Sequence, residues 1–303
     1  MSDAARTKRL VALLPILSTA LMMLVVGVLS LVLAPFMDAS GYYAFGQEGR
    51  FSPVSTFLYI VLILAFTLFL LFAIKYGWMR LIQLILLMAL LSTMYYVFSA
   101  VLAAYTLWYA PISIIASLLL TVLLYVHPEW YVVDVYGVLI GAGAAAIFGV
   151  SLSVFPVVLL LLALTIYDII AVYKTKHMLT LAEGVLSLKL PVMLVVPTKR
   201  GFSLKKMNKL GERGEREAYF MGLGDAVIPS ILVVSAAVFI QAPAVLGWVN
   251  LPSLLALGGS FAGFFALMLA VRGGNPQAGL PFLNTGALVG YAAGCLIAGV
   301  PVL

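Results

Sequence analysis

The sequence predicts an all-α polytopic membrane protein with nine transmembrane helices, its N-terminus cytoplasmic and its C-terminus extracytoplasmic. Three observations carry that reading. Hydrophobic residues make up 64% of the 303-residue chain and charged residues only 9%, against about 25% charged in soluble domains, and mean hydropathy is +1.18. The apolar residues gather into runs of about 20, the length that crosses a hydrocarbon core about 30 Å thick. The Lys and Arg residues fall almost entirely on one side of those runs, as cytoplasmic loops require.

In chain order the first four spans are Leu10–Ala34, Val54–Ile74, Leu81–Ala104 and Leu107–Val126, all free of Asp, Glu, Lys, Arg and His. The first has no small-residue cleavage site before a soluble domain, so it reads as a span and not as a removed leader. Tyr131–Gly149 is the weakest, short and rich in Gly and Ala, with Asp134 expected at the membrane interface. Its Gly137 and Gly141, four apart, invite a neighbouring helix to approach closely. Leu152–Tyr173, Met221–Ile240, Leu251–Val271 and Leu280–Leu303 complete the nine. With the N-terminus inside, the cytoplasmic side holds 16 of the 17 basic residues and the outside only Arg50. The net charge of +6 is therefore a topology signal and an attraction to anionic lipid; it does not point to nucleic acid. These features predict an integral multi-pass membrane protein with its N-terminus inside. The single Cys295 leaves no intrachain disulfide and no cysteine metal cluster.

Spans one to six form an N-terminal bundle (1–173) and spans seven to nine a C-terminal one (221–303), joined by a long cytoplasmic loop (174–220). Within that loop Met178, Leu181, Ala182, Val185 and Leu186 recur at helical spacing and predict an amphipathic helix at the membrane surface. The run from Leu190 through Val192, Met193, Leu194 and Val195 to Val196, closed by Pro197, is β-branched and too short to span. It reads as a strand or a buried turn. Residues 199–217 are charged and broken by glycine, which predicts a mobile basic tether.

Two carboxylates stand out. An ionisable side chain inside a span costs about 2.5–3.5 kcal/mol at the bilayer centre on insertion scales, and is by default a functional candidate. Asp168 lies six residues before Lys174, about 9 Å inside the cytoplasmic edge at 1.5 Å per residue. Asp225 lies four residues into span seven. The two spans run in opposite directions, so the acids sit level, and no span offers a basic partner. Facing each other, they would share a proton and titrate as a unit, the chemistry by which aspartic proteases activate water. A proton-coupled transporter or ion channel would use the same two acids, and a helix–helix hydrogen bond would also account for either one.

The neighbouring residues add to this. Tyr167 precedes Asp168, and its hydroxyl can bond a carboxylate or a substrate backbone. Gly222-Leu223-Gly224 precedes Asp225, and the two glycines admit a second backbone. Pro281-Phe282-Leu283 opens span nine at the same level, after an irregular Gly273-Gly274-Asn275-Pro276 run. Together these motifs resemble the presenilin and signal peptide peptidase family of intramembrane aspartyl proteases, over essentially the whole chain. The resemblance implies that Asp168 and Asp225 are the catalytic pair, supported by Tyr167, Gly222 and Gly224. It also implies that Pro281 to Leu283 correspond to the family's Pro-Ala-Leu motif, with Phe282 in place of the alanine. The implied activity is hydrolysis of peptide bonds within transmembrane helices of membrane-protein substrates, with no cofactor. The charge count favours the presenilin orientation, and the short loops suggest a compact microbial, archaeal-type relative working without obligatory subunits. The oligomeric state is not legible.

Other protease chemistries lack their residues. A serine mechanism needs a Ser activated by a His in the bilayer, yet Gly258-Gly259-Ser260-Phe261-Ala262 ends in Ala and reads as helix packing. His127 and His177 fall in loop or interface positions. No His-Glu-x-x-His helix exists for zinc. His127-Pro128-Glu129 reads as a solvated turn, and Asp38 and Glu48 as solvated charges in the first outer loop. Trp78, Trp108 and Trp130 fit an aromatic belt. For substrate unwinding, the sequence suggests that the strand around Met193 pairs with the substrate by β-augmentation.

Overall fold

In lipid every backbone N–H and C=O must be satisfied within the chain, so spanning segments become helices. The computed structural model describes residues 3–44 and 46, 53–175, 193–198, 202–204, 218–271 and 277–302. Nine helices run through them: α1 (Asp3–Ala39), α2 (Pro53–Lys75), α3 (Met79–Ala103), α4 (Tyr109–Val126), α5 (Trp130–Ser151), α6 (Val154–Ile169), α7 (Leu223–Phe239), α8 (Leu251–Val271) and α9 (Leu280–Ala298). Among the described residues seven are long and apolar enough to cross a membrane. Of the other two, α2 runs 23 residues and α7 only 17. The helices carry exposed leucines on their outer surfaces, such as Leu21 of α1, Leu68 of α2, Leu119 of α4 and Leu296 of α9, which suits a surface solvated by acyl chains.

Several helices end where glycine permits a left-handed turn. Gly41, Gly77 and Gly299 have φ of 68°, 74° and 69°. In each case the next residue's N–H reaches back five residues: Tyr42 to Met37, Trp78 to Ala73 and Val300 to Cys295. This is the glycine-terminated helix end that satisfies otherwise orphaned carbonyls. The first helix therefore runs to Ala39, past the predicted Ala34. Asp38 is in its last turn, not in a solvated loop, and accepts a hydrogen bond from the Tyr43 hydroxyl (3.0 Å).

The span that reads weakest is the most buried of the seven. Its small residues face protein: Gly141 meets Leu223 and Val227 of α7 and Val26 of α1, Gly143 meets Val97 of α3, and Gly149 meets Val234 of α7. Hydropathy measures fitness for lipid, and a helix enclosed by other helices is selected for close approach instead. On the far side of α7, α8 and α9 touch backbone to backbone, Gly259 against Gly286 and Gly263 against the Phe282 carbonyl. Ser260 is buried and bonds the Leu257 carbonyl of its own helix, so this run serves helix packing as expected.

Two small antiparallel sheets complete the fold. β1 (Met193–Pro197) pairs with β2 (Ala218–Gly222), register Val195 opposite Phe220. A hairpin of β3 (Ala244–Leu246) and β4 (Val249–Asn250) joins α7 to α8. The loop reading is thus met by a strand at Met193–Pro197, while Leu190, Val192 and the expected amphipathic helix lie outside the described residues. Within the expected tether, Phe202–Leu204 packs against the helices. Leu204 is buried and the Ser203 hydroxyl donates to Glu129 Oε1 (2.8 Å), so Glu129 is held and not merely solvated. The remainder of 199–217 lies outside the described residues.

Asn250 links α7 to α8. Its Nδ2 donates to the Ala236 and Ile240 carbonyls at the end of α7, and its Oδ1 accepts the Ser253 N–H at the start of α8. Asn250→Ala leaves buried polar groups unpaired and should cost about 1–3 kcal/mol, read as a lower melting temperature in detergent. Asn250→Asp keeps the acceptor for Ser253 but sets a carboxylate oxygen against the two carbonyls that Nδ2 bonded, so it should be at least as destabilising.

Candidate active site

Asp168 is carried near the end of α6, whose apolar turns hold it inside the bundle at 5% exposure. Two residues later the helix widens into a π-helical turn, Ile170–Thr175. Such turns are frequent at functional sites, and here the regular α-helix stops short of the predicted Tyr173. Asp225 enters differently. β2 ends at Gly222, which is the N-cap of α7, and Asp225 follows in the first turn, half-buried beside exposed Gly224. The break from strand to helix turns the carboxyl inward without enclosing it.

Both acids meet at the start of α9. The Leu280 N–H donates to Asp168 Oδ2 (3.1 Å). A Cβ placed on Gly279 would lie 3.1–3.2 Å from the carboxyl carbon and both oxygens of Asp225. Gly279 thus has no side chain because a carboxylate occupies the space. The two carboxyls thus border adjacent residues of the same backbone, Gly279 and Leu280. Gly222 borders the same carboxylate, its own Cβ position being 3.4 Å from Asp225 Oδ2.

A second set of contacts fixes α9 against α6. Asn284, fully buried, donates through Nδ2 to the Leu161 carbonyl (3.2 Å) and to Thr165 Oγ1 (3.0 Å), one turn before Asp168. At the other end Tyr173 donates its hydroxyl proton to Gln277 Oε1 (2.5 Å). Neither Gly279, Leu280, Asn284 nor Gln277 is singled out by the sequence. A buried amide in an apolar span was the available signal for Asn284, whereas Gly279 and Leu280 act through their backbone.

The remaining predicted residues divide. Leu283 is fully buried beside Ala226 and Phe264, which seats the start of α9 against α7. Pro281 and Phe282 are half-buried and line an apolar cleft of about 760 Å³ along α8 and α9. Neither aspartate lines that cleft, so it adjoins the acids without containing them. Tyr167 is half-buried on α6. Met193, Leu194 and Val195 stand in β1, and Gly273–Pro276 lies outside the described residues. Among the described residues no group of His, Cys, Asp and Glu is placed to hold a metal ion.

A family described as signal-peptide peptidase, presenilin aspartyl protease matches residues 20–300. The chain belongs to that family. Two solved structures of a presenilin family intramembrane aspartate protease, in space groups C222 and P2, are 39% and 40% identical to it. Each match covers 94% of this chain and 100% or 99% of the other, with TM-scores of 0.70 and 0.69. No curated protein matches. The protein is accordingly an intramembrane aspartic endopeptidase, an integral multi-pass membrane protein whose family acts on transmembrane substrates.

Gly279→Ala should push the Asp225 carboxyl from its place while leaving the fold intact. The carboxyl must give way by a few tenths of an ångström, less than the about 1 Å that can cost about 10²-fold, so a smaller loss, about severalfold, is expected in kcat for a transmembrane peptide. Asn284→Leu, which releases α9 from α6, should lower kcat in the same direction, with near wild-type recovery in Asn284→Gln excluded by the longer side chain.

Proposed function

We propose that Asp168 and Asp225 are the catalytic pair and hydrolyse peptide bonds within transmembrane helices through a water held between them. The observation that carries this is their convergence on the Gly279–Leu280 backbone. In the reactive state the pair holds one proton. The ionised carboxylate takes a proton from water as its oxygen attacks the scissile carbonyl carbon, and the neutral carboxyl donates to the carbonyl oxygen. The resulting diol collapses, the C–N bond breaks, and a proton passes to the leaving nitrogen. Gly224 is exposed, and among the described residues only Ile228 comes within 4 Å of its Cβ position, a face where an unwound backbone can approach Asp225.

A substrate helix must unwind before its carbonyls can be reached, and an added β-strand stabilises the unwound form. The sequence reading gave that task to the strand around Met193. The geometry favours β2 instead. The Val195 N–H already donates to Asp134 Oδ1 (2.7 Å), so Val195 and Phe220 form a pair without mutual hydrogen bonds, and the Phe220 N–H and C=O point away from β1. That outer edge runs directly into Gly222 and Asp225. β1, with Leu194 and Val195 buried, lies against α5 and α1. The lysine and arginine distribution supports a cytoplasmic N-terminus, with the acids near the inner face of a microbial plasma membrane. The short described loops suit activity without obligatory subunits.

Asp168→Asn and Asp225→Asn should each remove nearly all cleavage, since an amide fills neither role. The wild-type rate should follow a bell-shaped curve in pH with its maximum between mildly acidic and neutral: at low pH no base remains, and at high pH no acid. Substantial cleavage by either single variant, or a rate that rises monotonically with pH, contradicts the shared-proton pair. Phe220→Pro removes the outward N–H and keeps the ladder to β1, so it should reduce turnover strongly. Phe220→Ala, which keeps that N–H, should be milder.

A further inference from the structure

Asp134 was expected at the membrane interface and is instead 4% exposed, in the second turn of the central helix α5. Its Oδ1 accepts the backbone N–H of Val195, 61 residues away in sequence (2.7 Å), and its Oδ2 has no protein hydrogen-bond partner among the described residues. A carboxyl group is costly to bury, and helix packing alone does not call for one here. Its neighbours in this part of the core are apolar: Val133, Tyr136, Ile140, Val195, Leu204 and Ala218 lie in one buried cluster.

We infer that Asp134 is a positioning residue for proteolysis, acting as the hydrogen-bond partner that fixes the position of β1 and so sets where β2 presents a substrate strand to Asp225. The inference rests on the β2-edge reading above. β1 is five residues long and, among the described residues, pairs only with β2. A two-stranded ribbon of that length is marginal by itself, and its register is weakly specified when nothing outside it pins a residue. The bond from Val195 supplies the pin. It anchors the middle of β1 to α5, and α5 in turn contacts α7, the helix that carries Asp225. The strand and the reacting carboxyl are thereby referred to the same rigid helix. Freed from Asp134, β1 and β2 could move along or away from α5 while Asp225 stayed in place, and the substrate bond opposite the acids would change. The carboxyl also occupies the outward N–H of Val195, which turns a substrate away from β1 and toward the β2 edge.

The test is cleavage of a single transmembrane peptide by the full-length protein in detergent, with products identified by mass spectrometry. Asp134→Ala should shift the ratio of bonds cleaved and lower kcat/KM roughly tenfold, the scale of one buried backbone hydrogen bond, mainly through KM. Asp134→Asn keeps an oxygen for Val195 and should restore most of the wild-type ratio. Val195→Pro removes the same bond from the other side and should reproduce the Asp134→Ala pattern, with the double variant no worse than either. The product ratio is a property of folded molecules, so a smaller folded fraction does not imitate the effect. An unchanged ratio and KM in Asp134→Ala, or failure of Asp134→Asn to restore them, overturns the inference. If Phe220→Pro is silent, the β2-edge reading fails; if Phe220→Pro is impaired while Asp134→Ala is silent, only the role of Asp134 fails.

Discussion

The hydrogen bond from the Leu280 N–H to Asp168 Oδ2 joins residues 112 apart in sequence, and the site depends on it. It ties the first turn of α9 to the end of α6, at the point where Gly279 leaves room for the carboxyl of Asp225. The helices that carry the two acids also touch each other, and α9 packs against both of them. Asn284 repeats the tie one turn along, to Leu161 and Thr165, and the backbone contact of α8 with α9 holds α9 against its neighbour. The two proposed catalytic side chains come from α6 and α7, and the first turn of α9 is the backbone that both of them meet.

The membrane explains why this arrangement is built from so few polar groups. Unpaired polar groups are costly in a medium without water, so the buried ones that persist each have a definite task. Asn250 closes the α7–α8 connection, Asn284 ties α9 to α6, Asp134 bonds β1, and Asp168 bonds the first turn of α9. Glycine supplies the rest, by removing side chains where backbones or carboxylates must come close. Neither device resembles the salt bridges and polar networks of soluble enzymes.

Much of this was legible in the sequence. Nine apolar runs gave the helices, and Asp168 and Asp225 announced themselves as charges in spans without basic partners. The short strand at Met193–Pro197 was readable from its β-branched run closed by proline. Other features were hidden for physical reasons. Gly279 and Leu280 contribute an absence and a backbone N–H, which no residue-type pattern records. Asp134 was misplaced because it lies near the start of a short, weakly hydropathic run, where interface and interior look alike. The same weak hydropathy concealed that α5 is the central helix, since small residues suited to protein contact score poorly for lipid. Proposing β2 as the substrate-pairing edge required knowing that the Val195 N–H donates to Asp134.

The central claim is that this chain alone, through Asp168 and Asp225, cuts peptide bonds inside a transmembrane helix. The most direct measurement is incubation of the purified protein in detergent with one synthetic transmembrane peptide, followed by mass analysis of the products. Proteolysis needs no sealed bilayer, whereas proton or ion transport does. The account predicts fragments ending within the apolar stretch, absent with both Asp→Asn variants. No cleavage by the pure protein, together with aspartate-dependent flux in liposomes, would contradict it.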